Sequence, residues 1–368
     1  MHHRGDARIS HKEAPAAVEA LGADNVKLLV ADEKKGAVLS DYGYEIVSLG
    51  PLRNARCARF FLGNWRVLIT ILRTPKAAGH FHDPELFPAL FLLRVLGRTV
   101  IYDAHEDFAE QLLSKHWIPE LLRKPLSFFA RLSVGVFGLV ASEVVSATPI
   151  IQEKVKKGGV LVRNLPPLEE LNPVETDRDD VAFTSMLYVG AISEERGLFV
   201  MLDALVQLNQ TRETWLDLAG EFVTDSVAQV ARAHPGWKFV RYHGFVDRQR
   251  LAELCSSCGI GLAILKPLKR YQEAICTKML EYMGAGLVTI VPDYPVWREL
   301  VGDDESLVFL GRPEAEALTQ AVGLVLDDLD LARLRGRRGR SVVLSRLNWS
   351  SEKGALISTY NRLFRSQG

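Results

Sequence analysis

What most restricts the fold of this 368-residue chain is a rhythm in its apolar residues. Short apolar runs of strand length alternate with longer segments whose apolar residues recur at helical spacing. In the first half the runs fall at 26–30, 44–49, 80–82, 99–102 and 144–146. In the second they fall at 185–189, 215–219, 240–243, 259–265, 288–291 and 307–309, with helical periodicity at 198–208, 249–255, 278–285 and 313–326. Strands alternating with helices imply parallel sheets covered by helices on both faces.

The rhythm stops once in the interior. Residues 164–180 hold Pro166, Pro167 and Pro173 among many acidic side chains and show neither period, so they read as a linker between two α/β domains. The expected organisation is a first domain over 1–164, a linker over 165–180, a second domain over 181–343 and a closing helix over 344–368. A chain of this length exceeds one ordinary domain of roughly 150 residues. Its beginning is irregular. A doubly wound domain normally opens on a buried strand, yet residues 1–10 are polar and basic, and a helical pattern from His11 precedes the first apolar run. The first strand of the first domain is therefore expected to be missing, which would expose sheet edges.

Composition narrows the function. Apolar residues make up 48% and charged residues 24%, so disordered, collagen-like and disulfide-scaffold classes drop out. Lys+Arg and Asp+Glu both number 45, a balance that argues against a general nucleic-acid binder. Up to Arg163, however, there are 22 basic and 17 acidic residues, and between 46 and 82 six basic residues meet no acidic one. Cys255 and Cys258 form a lone CxxC, half of a zinc site; their place before the run at 259 favours core packing in a reducing compartment. No signal peptide opens the sequence. The longest apolar stretch, 126–141, is broken by Arg131 and reads as a buried or interfacial helix, so a cytoplasmic protein is expected.

In open parallel sheets ligands bind beyond the carboxyl ends of the strands, so polar residues that follow strands carry the functional reading. The segment YVGAISEERGL at 188–198 runs from a strand through Gly190 into a helix whose first turn carries Arg196. Glycine permits close approach of backbone to a ligand, and a helix N-terminus favours phosphate. The segment EAICTKMLE at 273–281 sets Glu273 in a loop, Thr277 and Lys278 at a helix start and Glu281 on that helix. Carboxylates so placed accept hydrogen bonds from ribose or hexose hydroxyls, although spacing alone favours two solvated glutamates. Finally, HFHDPE at 80–85 and DAHED at 103–107 end two first-half strands. Their His, Asp and Glu density admits a metal site, but a hydrogen-bonding wall for a polyhydroxylated substrate suits the residue types better.

Taken together, the motifs resemble those of the retaining GT-B glycosyltransferases of glycosyltransferase family 4, in particular the bacterial surface-polysaccharide branch. The resemblance rests on YVGAISEERG (188–197), HGF (243–245), TKMLEYMGAG (277–286), HDPEL (82–86), YDAHE (102–106) and DARISHKE (6–13), and spans essentially the whole chain. It implies an α/β protein of two Rossmann-like doubly wound domains facing a cleft. The first serves the acceptor and the second a nucleotide sugar, and the closing helix crosses back to the first. Glu273 and Glu281 fit the family's E-x7-E signature, implying that Glu273 contacts donor-sugar hydroxyls and Glu281 the donor ribose. Arg196 should face the donor diphosphate and His105 the transferred sugar, making His105, Glu273 and Arg196 the implied catalytic residues. Gly190, Gly244, Phe245, Val246, Cys276 and Thr277 complete the implied donor site. Asp6, Arg8, His82, Asp83 and Glu106 fall on the acceptor side. Where the family often has an arginine after the first glycine this chain has Ala191, and Lys266 or Lys278 is the expected replacement. No metal and no cofactor are implied, because helix N-termini and basic side chains stabilise the leaving diphosphate.

The expected activity is transfer of a hexose, with retention, from a UDP- or GDP-linked sugar to a glycan or lipid-linked glycan acceptor. A catalytically weak scaffold subunit of the same fold and a sugar-nucleotide epimerase are the alternatives. A membrane contact is also expected. Arg53, Arg56 and Arg59 recur every third residue beside Phe60, Phe61 and Trp65, and Arg123 and Lys124 adjoin Phe128 and Phe129. A buried helix with a solvated basic face would meet the same spacing, but a lipid-linked acceptor favours peripheral attachment to the inner leaflet of the cytoplasmic membrane.

Overall fold

The computed structural model describes residues 6, 8–33, 36–51, 56–105, 107–113, 118–155, 158–167, 178–302 and 305–364, except the side chains of 56–59 and Gln111. They form two compact units, Met1–Asn164 with Trp349–Gly368, and Leu165–Asn348. Both are Rossmann-like α/β units.

Among the described residues the first unit has seven strands: β1 (Lys27–Val30), β2 (Ala37–Leu39), β3 (Glu45–Ser48), β4 (Gly79–Phe81), β5 (Val100–Ala104), β6 (Glu143–Ser146) and β7 (Val160–Leu161). The apolar runs predicted there become β1, β3, β4, β5 and β6. β2 and β7 escaped the pattern because they are only three and two residues long. The strands do not join into one sheet. β4 to β7 form a parallel sheet in chain order, while β1, β3 and β2 form a second sheet with β3 in the middle. β2 runs antiparallel to β3, against the expectation of wholly parallel sheets, because the turn at 40–44 is too short for a crossover. Among the described residues no strand pairs with the outer edges of β1 or β4, in keeping with the polar start of the sequence.

Helices cover both faces of the four-stranded sheet. On one side Ala16 and Ala20 of helix Ala14–Leu21 pack with Leu356 and Tyr360 of helix Trp349–Phe364 against Ile101 and Val145. On the other, helices Arg56–Arg73, Phe87–Val95 and Glu120–Val140 supply Val67, Ile71, Leu90, Leu93 and Phe137. The single closing helix predicted over 344–368 is two helices, Leu329–Arg346 and Trp349–Phe364. Asn348 makes the break, its side-chain amide donating to the Leu344 carbonyl and to the Val343 carbonyl, which also accepts from the Leu347 N–H.

The second unit is one six-stranded parallel sheet of β8 (Ser185–Val189), β9 (Trp215–Ala219), β10 (Val240–Gly244), β11 (Ile260–Leu262), β12 (Val288–Pro292) and β13 (Leu307–Leu310). Every predicted run of the second half is found, although the run at 259–265 leaves the ladder after Leu262. The spatial order is β10-β9-β8-β11-β12-β13. Within the stretch read as a linker, residues 168–177 lie outside the described residues, but its ends are anchored. Leu165 is fully buried, and the buried guanidinium of Arg178 donates to the carbonyls of Cys255, Cys258, Ala285 and Gly286.

Candidate functional site

The strand order of the second unit fixes where a ligand can enter. The chain lays down β8, winds outward through β9 to β10, then returns to the other side of β8 with β11. Connections from β8 and β11 therefore diverge, opening a crevice beyond their carboxyl ends, where open α/β sheets bind ligands. The two segments leading from those strands are the ones singled out in the sequence: Gly190 to Arg196, and the stretch ending in helix Thr277–Gly284.

Gly190 has φ of +129°, and a Cβ there would stand 3.1 Å from Lys278 Nζ and 3.6 Å from an Arg196 guanidinium nitrogen. The absent side chain thus leaves a small space faced by two cations. Lys278 lies in the first helical turn, whose N–H groups, apart from Met279's donation to the Cys276 carbonyl, precede the intrahelical ladder, so the helix terminus adds partial positive charge. Its Nζ is buried without a hydrogen-bond partner and sits 4.0 Å over the ring of Tyr188. Burial pulls its pKa down from 10.5 to about 8, an effect that Arg196 reinforces and that Cys276 and Glu281 oppose. An orphaned ammonium beside an arginine at a helix N-terminus is a site built for an anion.

The other donor-side candidates divide. Cys276, buried, is the N-cap of the helix, Thr277 opens it, and Glu281 lies one turn beyond Lys278, partly buried and within its electrostatic reach. Lys266 is elsewhere engaged: its Nζ is 2.6 Å from Glu194, and its N–H donates to Glu195. Of the two lysines expected to replace the missing arginine, Lys278 is the one at Gly190. Glu273 ends a short helix and faces Lys269 at 3.9 Å. Gly244 closes β10, Phe245 is exposed, and Val246 packs partly buried beside Leu254 and Cys255.

In the first unit the structure gathers residues far apart in sequence. Arg8 is 5% exposed, and its guanidinium donates to both carboxylate oxygens of Asp103 and to the Val162 carbonyl, with Glu13 2.8 Å away. It is therefore turned into the protein, where its partners restrain it. Asp6 accepts from the N–H groups of Arg8 and Ile9, starting the helical segment. His82 Nδ1 and His105 Nδ1 lie 3.1 and 3.2 Å from the same Asp103 oxygen. Asp83 is partly buried just beyond β4, and Glu106 lies outside the described residues. Burial pushes Asp103 up, but Arg8 and the two imidazoles outweigh it and hold the carboxyl well below its usual range. Glu13 has the opposite balance: burial, then repulsion from Asp103, raise it to about 7. His80 falls to about 4, again mainly through burial, and its Nδ1 meets the Tyr360 hydroxyl at 2.9 Å. Two donor trios, Glu13–His80–His82 and His82–Asp103–His105, bring their ligand atoms within 4.8 Å of one another. The guanidinium of Arg8 already stands against both carboxylates.

Sequence reasoning missed Glu13, Asp103 as the hub, and Tyr360, because the cluster joins segments distant in sequence: Arg8 and Asp103 are 95 positions apart, and His80 and Tyr360 are 280. A cavity of about 740 Å³ also lies at the opposite end of the second sheet, between Ser185, Trp215, Arg241 and Arg178. None of its lining side chains carries an orphaned buried polar atom, and it lies where strands begin; the crevice at Lys278 is the better candidate.

Residues 180–342, nearly all of the second unit, match the family model described as Glycosyl transferases group 1. A search of curated proteins finds no match. Among solved structures, sucrose-phosphate synthase from Thermosynechococcus elongatus superimposes with a TM-score of 0.75 at 17% identity, over 98% of this chain and 94% of that one. The Anabaena protein HepE in complex with UDP-glucose gives 0.65 at 13% identity, over 88% and 87%. A UDP-forming α,α-trehalose-phosphate synthase from Burkholderia xenovorans gives 0.66 at 13%, over 98% and 97%. At such identities the likeness establishes the fold, which is that of the GT-B glycosyltransferases.

Proposed function

We propose that this protein is a glycosyltransferase that binds a nucleoside-diphosphate sugar at the β8/β11 crevice of its second unit. We further propose that it transfers the hexose, with retention and without a metal, to a glycan or lipid-linked glycan acceptor in bacterial surface-polysaccharide synthesis. The observation that carries the reading is the buried, unpartnered ammonium of Lys278 beside Arg196 and Gly190. Such a charge is costly in an empty site and is repaid when a diphosphate occupies it. The group 1 family match over residues 180–342 supports the same class, and the complex of the fold neighbour HepE with UDP-glucose supports a donor of this kind.

As the glycosidic bond breaks, negative charge grows on the departing diphosphate. Lys278, Arg196 and the helix terminus at Thr277 stand ready to stabilise it without reorganising. In this proposal Glu281 accepts hydrogen bonds from the ribose, Glu273 from the donor sugar, and His105 contacts the transferred sugar. A cytoplasmic location belongs to the same reading. A scaffold subunit would have no use for an orphaned cation at a switch point. Calorimetric titration with UDP and GDP separates the two: the proposal expects one of them to bind in the presence of EDTA, and binding of neither would overturn it.

A further inference from the structure

The helices covering one face of the four-stranded sheet are apolar on the side turned away from it. In helix Glu120–Val140 the buried residues are Ser127, Ala130 and Gly138. Leu121, Phe128, Phe129, Leu132, Val136 and Leu139 are exposed, Phe128 by 66% and Phe129 by 62%. At 100° per residue they fall, with Leu122 and Leu126, in one sector about 160° wide, opposite the packed side. Together these eight side chains present on the order of 900 Å² of apolar surface, above the few hundred that a monomer ordinarily exposes in one patch. A helix that is apolar on both sides is normally covered on both.

The surface continues onto neighbouring helices. Arg94 of helix Phe87–Val95 donates to the Val140 carbonyl, tying the two helices together, and Phe91, Leu92, Val95 and Leu96 are exposed beside it. Helix Arg56–Arg73, which packs into the same core, exposes Phe61 and Trp65. Arg53 lies outside the described residues, as do the side chains of Arg56 and Arg59, the triplet expected to carry membrane contact. Across the three helices Glu120 is the only acidic residue, while Arg66, Arg73, Lys124 and Arg131 are among the basic ones. Lys124 and Arg131 lie at one border of the apolar sector of their helix.

We propose that this three-helix face docks in the plane of a bilayer containing anionic lipids. The outer side chains of Glu120–Val140 and Phe87–Val95 would enter the headgroup boundary, and the bordering cations would meet lipid phosphates. Aromatic and leucine side chains flanked by Lys and Arg are what a surface-lying helix needs. Among the described residues no helix is long and apolar enough to cross a membrane, so the contact is one of lying on the surface. This inference stands independently of the donor-site reading.

The test is sedimentation of the full chain with phosphatidylcholine vesicles with and without phosphatidylglycerol, at low and high salt. Binding should require the anionic lipid, weaken as salt rises, and fall about tenfold or more in a Phe128→Gln, Phe129→Gln, Leu132→Gln triple variant that retains its thermal unfolding transition. Should that variant fail to fold, Lys124→Gln with Arg131→Gln, both exposed, must still weaken anionic-vesicle binding. Val230→Gln with Leu324→Gln on the second unit should change nothing. Absence of sedimentation with anionic vesicles at low salt overturns the proposal. So does a stable dimer by light scattering that the triple variant abolishes while vesicle binding persists, which would assign the face to a second copy of the chain.

Discussion

Replacing Lys278 by methionine should make the ligand-free protein more stable and the nucleotide complex weaker. In the folded state burial holds the Lys278 pKa near 8 against 10.5 for an ordinary lysine. The folded value is the lower one, so the penalty is complete below about pH 8 and vanishes above 10.5. Moving a lysine from 10.5 to about 8 corresponds to at most about 3 kcal/mol. Methionine keeps the apolar stem but forfeits the Tyr188 contact, worth about 1 kcal/mol, leaving a net gain of roughly 1–2 kcal/mol. For a unit of this size that is a rise in Tm of roughly 2–8 °C at pH 7, shrinking toward nothing as pH approaches 10.5. Binding should respond in the opposite sense. Losing one charge-assisted bond to a diphosphate costs about 1.5–3 kcal/mol, or roughly 10- to 100-fold in Kd. In the wild type a bound diphosphate restores the lysine's charge, so above pH 8 binding should take up a proton and weaken with rising pH. Thermal unfolding of both proteins from pH 7 to 10, with calorimetry of UDP and GDP in buffers of different ionisation enthalpy, measures all of this. A methionine variant that is less stable at pH 7, or that binds nucleoside diphosphate as the wild type does, would refute the reasoning.

Glu281→Ala should weaken nucleotide binding by about 1–3 kcal/mol through lost ribose hydrogen bonds, as read by the same calorimetry. His105→Ala should lower kcat while leaving UDP or GDP affinity nearly intact; a variant with wild-type turnover would remove the residue from the reaction. Asp103→Asn removes one of the two buried carboxylates at Arg8, leaving Glu13, and should cost the first unit about 1.5–3 kcal/mol in chemical denaturation. Glu13 ionises near pH 7 when folded and near 4.5 when unfolded, so its burial penalty is complete above about pH 7. Glu13→Gln should therefore stabilise the first unit most above neutrality and least near pH 4.5.

The second sheet was legible because strands buried on both faces are written as near-continuous apolar runs; β8 and β12 are of that kind, and β9 is interrupted only by Asp217. β2, three apolar residues exposed along their length, is too short for such a signature, and β11 shows the reverse error, since the buried run continues to Leu265 although pairing with β12 ends at the Ala263 N–H, which donates to the Ile290 carbonyl. The division of the first unit into two sheets was not legible, since the sequence led to the expectation of a missing first strand rather than of separate sheets. The choice between Lys266 and Lys278 was not legible. It depends on β8 lying beside β11, a pairing between strands some seventy residues apart, and on Glu194 reaching Lys266 from the other side. The sequence likewise shows Arg8 and Asp103 as separate polar residues; only the fold turns them toward each other across β5.

The central claim is that this chain moves a sugar from a nucleoside diphosphate without a metal. The most direct measurement incubates the full protein with a panel of UDP- and GDP-linked hexoses and candidate acceptors in EDTA. Release of nucleoside diphosphate is followed together with the anomeric configuration of the product by NMR. The account predicts turnover of at least one donor, a product with the donor's own anomeric configuration, and loss of turnover on Lys278→Met. Neither binding nor turnover of any UDP- or GDP-linked sugar, or turnover that appears only when a divalent metal is added back, would contradict it.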